Sequence, residues 1–152
     1  MIRLDVPGRG VLSLRHAVFD WNGTLARDGE LLEAVVEPFR ALKDRLVCHI
    51  LTAATHGPPK SASAVLGVDP VIVPDGAAKA AFVSRLSGGV VAVGNGANDE
   101  AMFRTATLAI AVLGPEGLAV SSARAAHVIA ARPEDAILLL LRPARLAATL
   151  RP

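Results

Sequence analysis

The feature that most constrains this chain is a series of short apolar runs, each separated from the next by a stretch of helical periodicity. The runs are His16–Asp20, Leu46–Leu51, Val71–Val73, Val90–Val93, Leu108–Val112 and His127–Ile129. Several lack polar alternation, which suits strands covered on both faces. Helical patterns fill Leu31–Arg45, Ala77–Leu86, Asp99–Thr105, Glu116–Ala123 and Pro133–Leu141. Pro38 is expected to kink the first of these or delay its start. Strand and helix alternating in this way predict an α/β fold of three layers, a Rossmann-like parallel sheet with helices on both sides. Ahead of it, Ile2–Val6 and Val11–Leu14 alternate apolar and polar residues around Pro7-Gly8-Arg9-Gly10, the pattern of a β-hairpin. The expected organisation is one domain, residues 1–152, with an N-terminal hairpin over 1–15 and the core over 16–152.

Composition removes several function classes. The chain of 152 residues is 52% apolar and 20% charged, enough to bury a core and unlike a disordered segment. A net charge of +2, with no Lys/Arg cluster and no interleaved aromatics, argues against nucleic-acid binding. No apolar run has the length of a membrane span, and Met1–Gly10 has no signal-peptide pattern. Cys48, the single cysteine, lies within an apolar run and reads as a small buried hydrophobe. A cytoplasmic location is the expectation.

In parallel sheets ligands bind beyond the carboxyl ends of the strands, so the polar residues that close each run carry the functional signal. The first station is Phe19-Asp20-Trp21-Asn22-Gly23-Thr24-Leu25. A carboxylate there can accept a phosphoryl group or hold Mg²⁺; a plain Asn-Gly turn is the bland alternative. The second is Leu51-Thr52, where a hydroxyl can hold a phosphate oxygen or simply cap the next helix. The third is Lys79, after Pro74-Asp75-Gly76, either a phosphate-neutralising charge or a solvated helix lysine. The fourth is Gly94-Asn95-Gly96-Ala97-Asn98-Asp99. It begins like a dinucleotide fingerprint but has Asp99 where the third glycine belongs. It suits a metal or phosphate loop, or a turn capped by Asn98 or Asp99.

Taken in order, the four stations resemble the haloacid dehalogenase-like superfamily, and within it the small soluble proteins similar to P-type ATPases. Asp20-Trp21-Asn22-Gly23-Thr24 is similar to the first motif, Asp-x-Asp-Gly-Thr. Thr52 and Lys79 match the second and third. Gly94-Asn95-Gly96-Ala97-Asn98-Asp99 is similar to the fourth, Gly-Asp-Gly-x-Asn-Asp. The resemblance implies a phosphatase or phosphotransferase in which Asp20 forms an aspartyl-phosphate, Thr52 holds the phosphoryl group and Lys79 orients Asp20. It implies Mg²⁺ held by Asp20, Asn22, Asn95 and Asp99, and a phosphorylated substrate resting against Gly23, Thr24, Ala53 and Asn98. Such chemistry needs positioning and charge neutralisation above all.

Two departures stand out. Asn22 occupies the place of the general acid/base aspartate, and an amide neither gives nor takes the required proton. Slow turnover is expected, with a phosphate-binding or regulatory protein as the alternative. Asn95 replaces a charged metal ligand, so weaker Mg²⁺ affinity is expected. The short intervals between Asp20, Thr52 and Lys79 leave no room for a cap domain. An open site suits a large substrate or a homo-oligomer, with the N-terminal hairpin and the apolar C-terminal segment as contact surfaces. His16 and His49 are expected to be packed rather than catalytic, and Trp21 to line the mouth of the site.

Overall fold

The computed structural model describes residues 1–152. In chain order the elements begin with β1 (Ile2–Val6), β2 (Gly10–Asp20), β3 (Ala26–Arg27) and β4 (Glu30–Leu31), followed by α1 (Glu33–Lys43), β5 (Val47–Thr52) and β6 (Val71–Ile72). Then come α2 (Gly76–Arg85), β7 (Gly89–Gly94), α3 (Glu100–Thr105), β8 (Leu108–Val112), α4 (Val120–Ala125), β9 (Val128–Ala130), α5 (Pro133–Leu141) and α6 (Pro143–Leu150). Every expected apolar run becomes a strand of one seven-stranded sheet in the order β6-β5-β2-β7-β8-β9, with β1 beside β2. All neighbours on that path are parallel, and β1 is antiparallel.

Neighbouring side chains on a strand face opposite ways, which separates two cores. On β2, Phe19 joins a cluster with Phe39 of α1 and Ile137 of α5, while Val18 joins Leu51, Val83 of α2 and Phe103 of α3. The three layers expected from the alternating pattern are therefore present, and no inserted domain stands between the strand ends and solvent.

Several boundaries differ from expectation for identifiable reasons. β2 is continuous from Gly10 to Asp20, so the division drawn after residue 15 falls inside one strand. Its first half pairs with β1 and its second with β5. The helix expected from Leu31 starts at Glu33 because a tight ribbon, β3–β4, precedes it. Asp28 and Gly29 turn that ribbon with φ of 51° and 84°, the left-handed pair that a two-residue hairpin needs. The helix expected from Glu116 starts at Val120, since Gly114-Pro115-Glu116-Gly117 closes a turn through Gly117 N–H donating to Gly114 O at 3.1 Å. A single π-helical turn, Ala62–Leu66, and α6 were not anticipated. Leu146 and Leu150 of α6, four residues apart, are buried in the cluster that holds Ile2, Leu4 and Val6 of β1. The apolar faces of the N-terminal hairpin and of α6 thus cover each other, while Val11 of the hairpin stays exposed, as do Leu113, Val120 and Ile129 around β9, an edge of the sheet. No helix is long and apolar enough to cross a membrane.

Candidate active site

Parallel strands deliver their carboxyl ends to one edge, and there the four stations meet. Asp20 is the last residue of β2, Thr52 the last of β5, and Asn95 follows β7. Lys79 lies one turn into α2, whose start is fixed by Asp75: its carboxylate accepts from Ala78 N–H at 2.8 Å. A cleft of about 240 Å³ opens between these elements. Of the expected site residues, Asp20, Asn22, Thr52, Ala53, Asn95 and Asn98 line it.

Gly23, Thr24, Lys79 and Asp99, also expected there, lie outside its lining. Each touches a residue that does line it. Lys79 has no exposed surface, and its Nζ donates to Asp20 Oδ1 at 2.5 Å and to Asp99 Oδ1 at 2.7 Å. Asp99 Oδ2 accepts from Asn95 N–H and Gly96 N–H, both at 2.9 Å. Both oxygens of Asp99 thus accept hydrogen bonds beneath the cleft, from Lys79 and from the fourth-station loop. The fit is tight: a Cβ on Gly94 would stand 2.4 Å from Asp99 Oδ2. Thr24, buried, donates to Asn95 Oδ1 at 3.2 Å, and Asn95 Nδ2 donates to Gly117 O at 3.0 Å. Gly23 has φ of 79°, and a Cβ there would strike the Asn95 amide at 2.3 Å. Trp21, expected at the mouth, is buried in the core. It alternates with Asp20, so the step that turns the carboxylate toward the cleft turns the indole away.

The charges are unusual for a protein interior. Two carboxylates and one ammonium are withdrawn from water, a net charge of −1 by their formal charges. Burial, then the nearby Asp99 charge, push Asp20 up to about 7, against the pull of Lys79. Burial alone would lower Lys79; the charges and hydrogen bonds of Asp20 and Asp99 outweigh it and leave the ammonium raised. Asn22 Oδ1 is buried and has no hydrogen-bond partner. Thr52 Oγ1 accepts from Ala54 N–H at 3.0 Å, which leaves the hydroxyl proton free to donate. Ala54 itself sits at φ 54°, a left-handed conformation uncommon outside glycine.

Gly96 of the fourth-station loop also lines the cleft, and two lining residues escaped the sequence reading, Thr55 and Glu116. For Glu116 a signal was present. The strand-end rule, applied to Leu108–Val112, leads directly to Gly114-Pro115-Glu116-Gly117. The histidines are as expected. His16 and His49 pair through Nδ1 and Nε2 at 3.1 Å, with His49 edge-on to Phe82, and neither lines the cleft.

No protein-family model matches the chain. The protein MJ0073 of Methanocaldococcus jannaschii is 39% identical over 62 residues, 41% of this chain and 67% of that protein. Among solved structures, the Moraxella catarrhalis 3-deoxy-D-manno-octulosonate 8-phosphate phosphatase, in complex with magnesium, phosphate and its sugar, superposes with a TM-score of 0.69. It is 18% identical, over 91% of this chain and 94% of that one. A Streptomyces avermitilis protein assigned to the HAD family of hydrolases gives 0.65 at 18% identity, over 91% and 84%. A zinc-transporting PIB-type ATPase in the E2.Pi state gives 0.64 at 19% identity, over 78% of this chain and 20% of the pump.

Proposed function

Because this chain belongs to one family with MJ0073 and has the haloacid dehalogenase-like fold, we propose that it is a Mg²⁺-dependent phosphohydrolase or phosphotransferase that works through an aspartyl-phosphate on Asp20. The observation that carries this reading is the fully buried Lys79, clamped between Asp20 and Asp99 beneath a cleft into which Thr52 can donate. A scaffold has no use for a buried ammonium that orients an accessible carboxylate edge.

The donor set suits a cation. The orphaned Asn22 Oδ1 and the net negative charge of the buried cluster both call for one, and the magnesium complex of the Moraxella phosphatase supports its identity. Asp20, Asn22 and Asn95 would hold it. No group of three His, Cys, Asp or Glu side chains converges at any point, so amide or carbonyl oxygens would have to complete the set. When bound, Mg²⁺ neutralises charge on the transferring phosphoryl group. Asp20 presents Oδ2 to phosphorus, since Oδ1 is held by Lys79. The Thr52 hydroxyl donates to a phosphoryl oxygen. Asn22 cannot protonate the leaving group, which favours substrates whose leaving group departs without a proton. The cleft has no cap, and a second copy of the chain meeting the exposed Leu113, Val120 and Ile129 would narrow its surroundings.

Phosphate release from acetyl phosphate and p-nitrophenyl phosphate, compared between wild type and Asp20→Asn, tests the reading. Release that needs both Mg²⁺ and Asp20 is expected. A folded wild type no faster than the variant would favour the phosphate-binding or regulatory reading, which the two amides at 22 and 95 support.

A further inference from the structure

The mechanism leaves one proton without a destination. Hydrolysis of an aspartyl-phosphate requires water to attack phosphorus, and the water must lose a proton as it does so. Asn22 cannot take it. Among the residues that line the cleft, only Asp20 and Glu116 carry titratable side chains. Asp20 is the group being released, so Glu116 is the one side chain of the cleft able to serve.

Its placement is built. Glu116 occupies the turn Gly114–Gly117 that follows β8, with Pro115 before it and Gly117 after it at φ 83°. That turn is fastened to the fourth-station loop. Asn95 Nδ2 donates to Gly117 O at 3.0 Å, Ala119 N–H donates to Asn95 O at 2.8 Å, and Ser122 Oγ donates to Gly96 O at 2.5 Å. The Glu116 carboxylate takes part in none of these bonds and in no ion pair of the structure, so its oxygens remain available to a water molecule.

We propose that Glu116 is the general base for the hydrolytic half of the reaction, supplying from the β8–α4 turn the carboxylate that the first station lacks at Asn22. The inference rests on the aspartyl-phosphate reading. In the step, a water oxygen bonds to phosphorus while the bond from phosphorus to the Asp20 oxygen breaks, and that electron pair returns to the Asp20 carboxylate. The water proton passes to a Glu116 oxygen. Inorganic phosphate and free Asp20 are the products, and Glu116 returns its proton to solvent. The chain then pairs an unaided first step with an assisted second one. It would take readily released phosphoryl groups and pass them to water.

The test separates the half-reactions. Wild type, Glu116→Gln, Glu116→Asp and Glu116→Ala are phosphorylated with acetyl phosphate and Mg²⁺, the donor is removed by rapid desalting, and the phosphoenzyme is followed by intact mass. Glu116→Gln is expected to form phosphoenzyme at the wild-type rate and lose it about 10²–10⁴ times more slowly, with Glu116→Asp recovering part of the loss. Formate is expected to speed decay in Glu116→Ala and to leave wild type unchanged, an effect that a structural role would not produce. Equal decay in Glu116→Gln and wild type overturns the proposal. So does a higher Mg²⁺ requirement with formation and decay slowed alike, which would make Glu116 a metal ligand. A wild type that never accepts the phosphoryl group removes the Asp20 reading, and this inference with it.

Discussion

Replacing Lys79 by methionine keeps the volume of the side chain and removes its charge. The two carboxylates that share the ammonium at 2.5 and 2.7 Å are then left facing each other out of water. Asp99 retains two backbone N–H donors, so Asp20 is the group that takes a proton. With Lys79 in place Asp20 is already raised to about 7, so the loss comes from the two broken pairs rather than from neutralising Asp20. Breaking buried pairs costs roughly 3–5 kcal/mol. For a domain of this size it corresponds to a fall in Tm of about 6–20 °C. The pH dependence has a definite sign. A carboxyl whose folded pKa lies above its unfolded value loses stability as pH rises from the unfolded value toward the folded one. Wild-type Asp20 already lies at about 7 and the variant lies higher, so the two proteins diverge as pH rises past that value. The deficit of Lys79→Met is therefore expected to be larger at pH 8 than at pH 6, and adding Asp20→Asn should recover much of it. Calorimetry with chelator present measures all three proteins. A deficit below about 1 kcal/mol, or one indifferent to both pH and Asp20→Asn, would refute the reasoning.

Other substitutions probe single links. Asn22→Asp is expected to raise turnover of alkyl phosphates by about 10²–10⁴ and to change acetyl phosphate little, measured by steady-state phosphate release. Asn95→Asp adds a charged ligand and should lower the Mg²⁺ concentration for half-maximal activity in the same assay. Gly94→Ala places a methyl group 2.4 Å from Asp99 Oδ2. It should cost about 1–3 kcal/mol of stability in thermal melts, and most of the activity, by dislodging the carboxylate that grips Lys79. Burial pushes the Cys48 thiol up to about 12, so its thiolate is scarce at pH 8. Alkylation of the native protein should be far slower than in denaturant, as read by mass spectrometry.

The sheet was legible because parallel strands covered on both faces must be apolar almost throughout, and His16–Asp20 and Val90–Val93 read that way without ambiguity. Polar residues at the ends of those strands then marked the cleft. Lys79 was legible only as a residue type. Its complete burial depends on α2 passing beneath the ends of β2 and β7, a tertiary fact that helical periodicity does not carry. The partners of Asp99 were hidden for the same reason, since nothing local shows that Lys79 Nζ and two backbone N–H groups reach its oxygens. Trp21 and Glu116 were misplaced on local grounds. The first follows from strand alternation past Asp20, and the second from starting a helix at Glu116 when Gly114-Pro115-Glu116-Gly117 describes a turn. Asp28-Gly29 carried an explicit hairpin signal that the stronger helical pattern after it masked.

The central claim is that Asp20 accepts a phosphoryl group, and intact-mass analysis after exposure to acetyl phosphate and Mg²⁺ tests it most directly. A mass gain of one phosphoryl group in wild type, mapped to Asp20 and absent from Asp20→Asn, is expected. No gain in folded wild type, or a gain that persists in Asp20→Asn, would contradict the account.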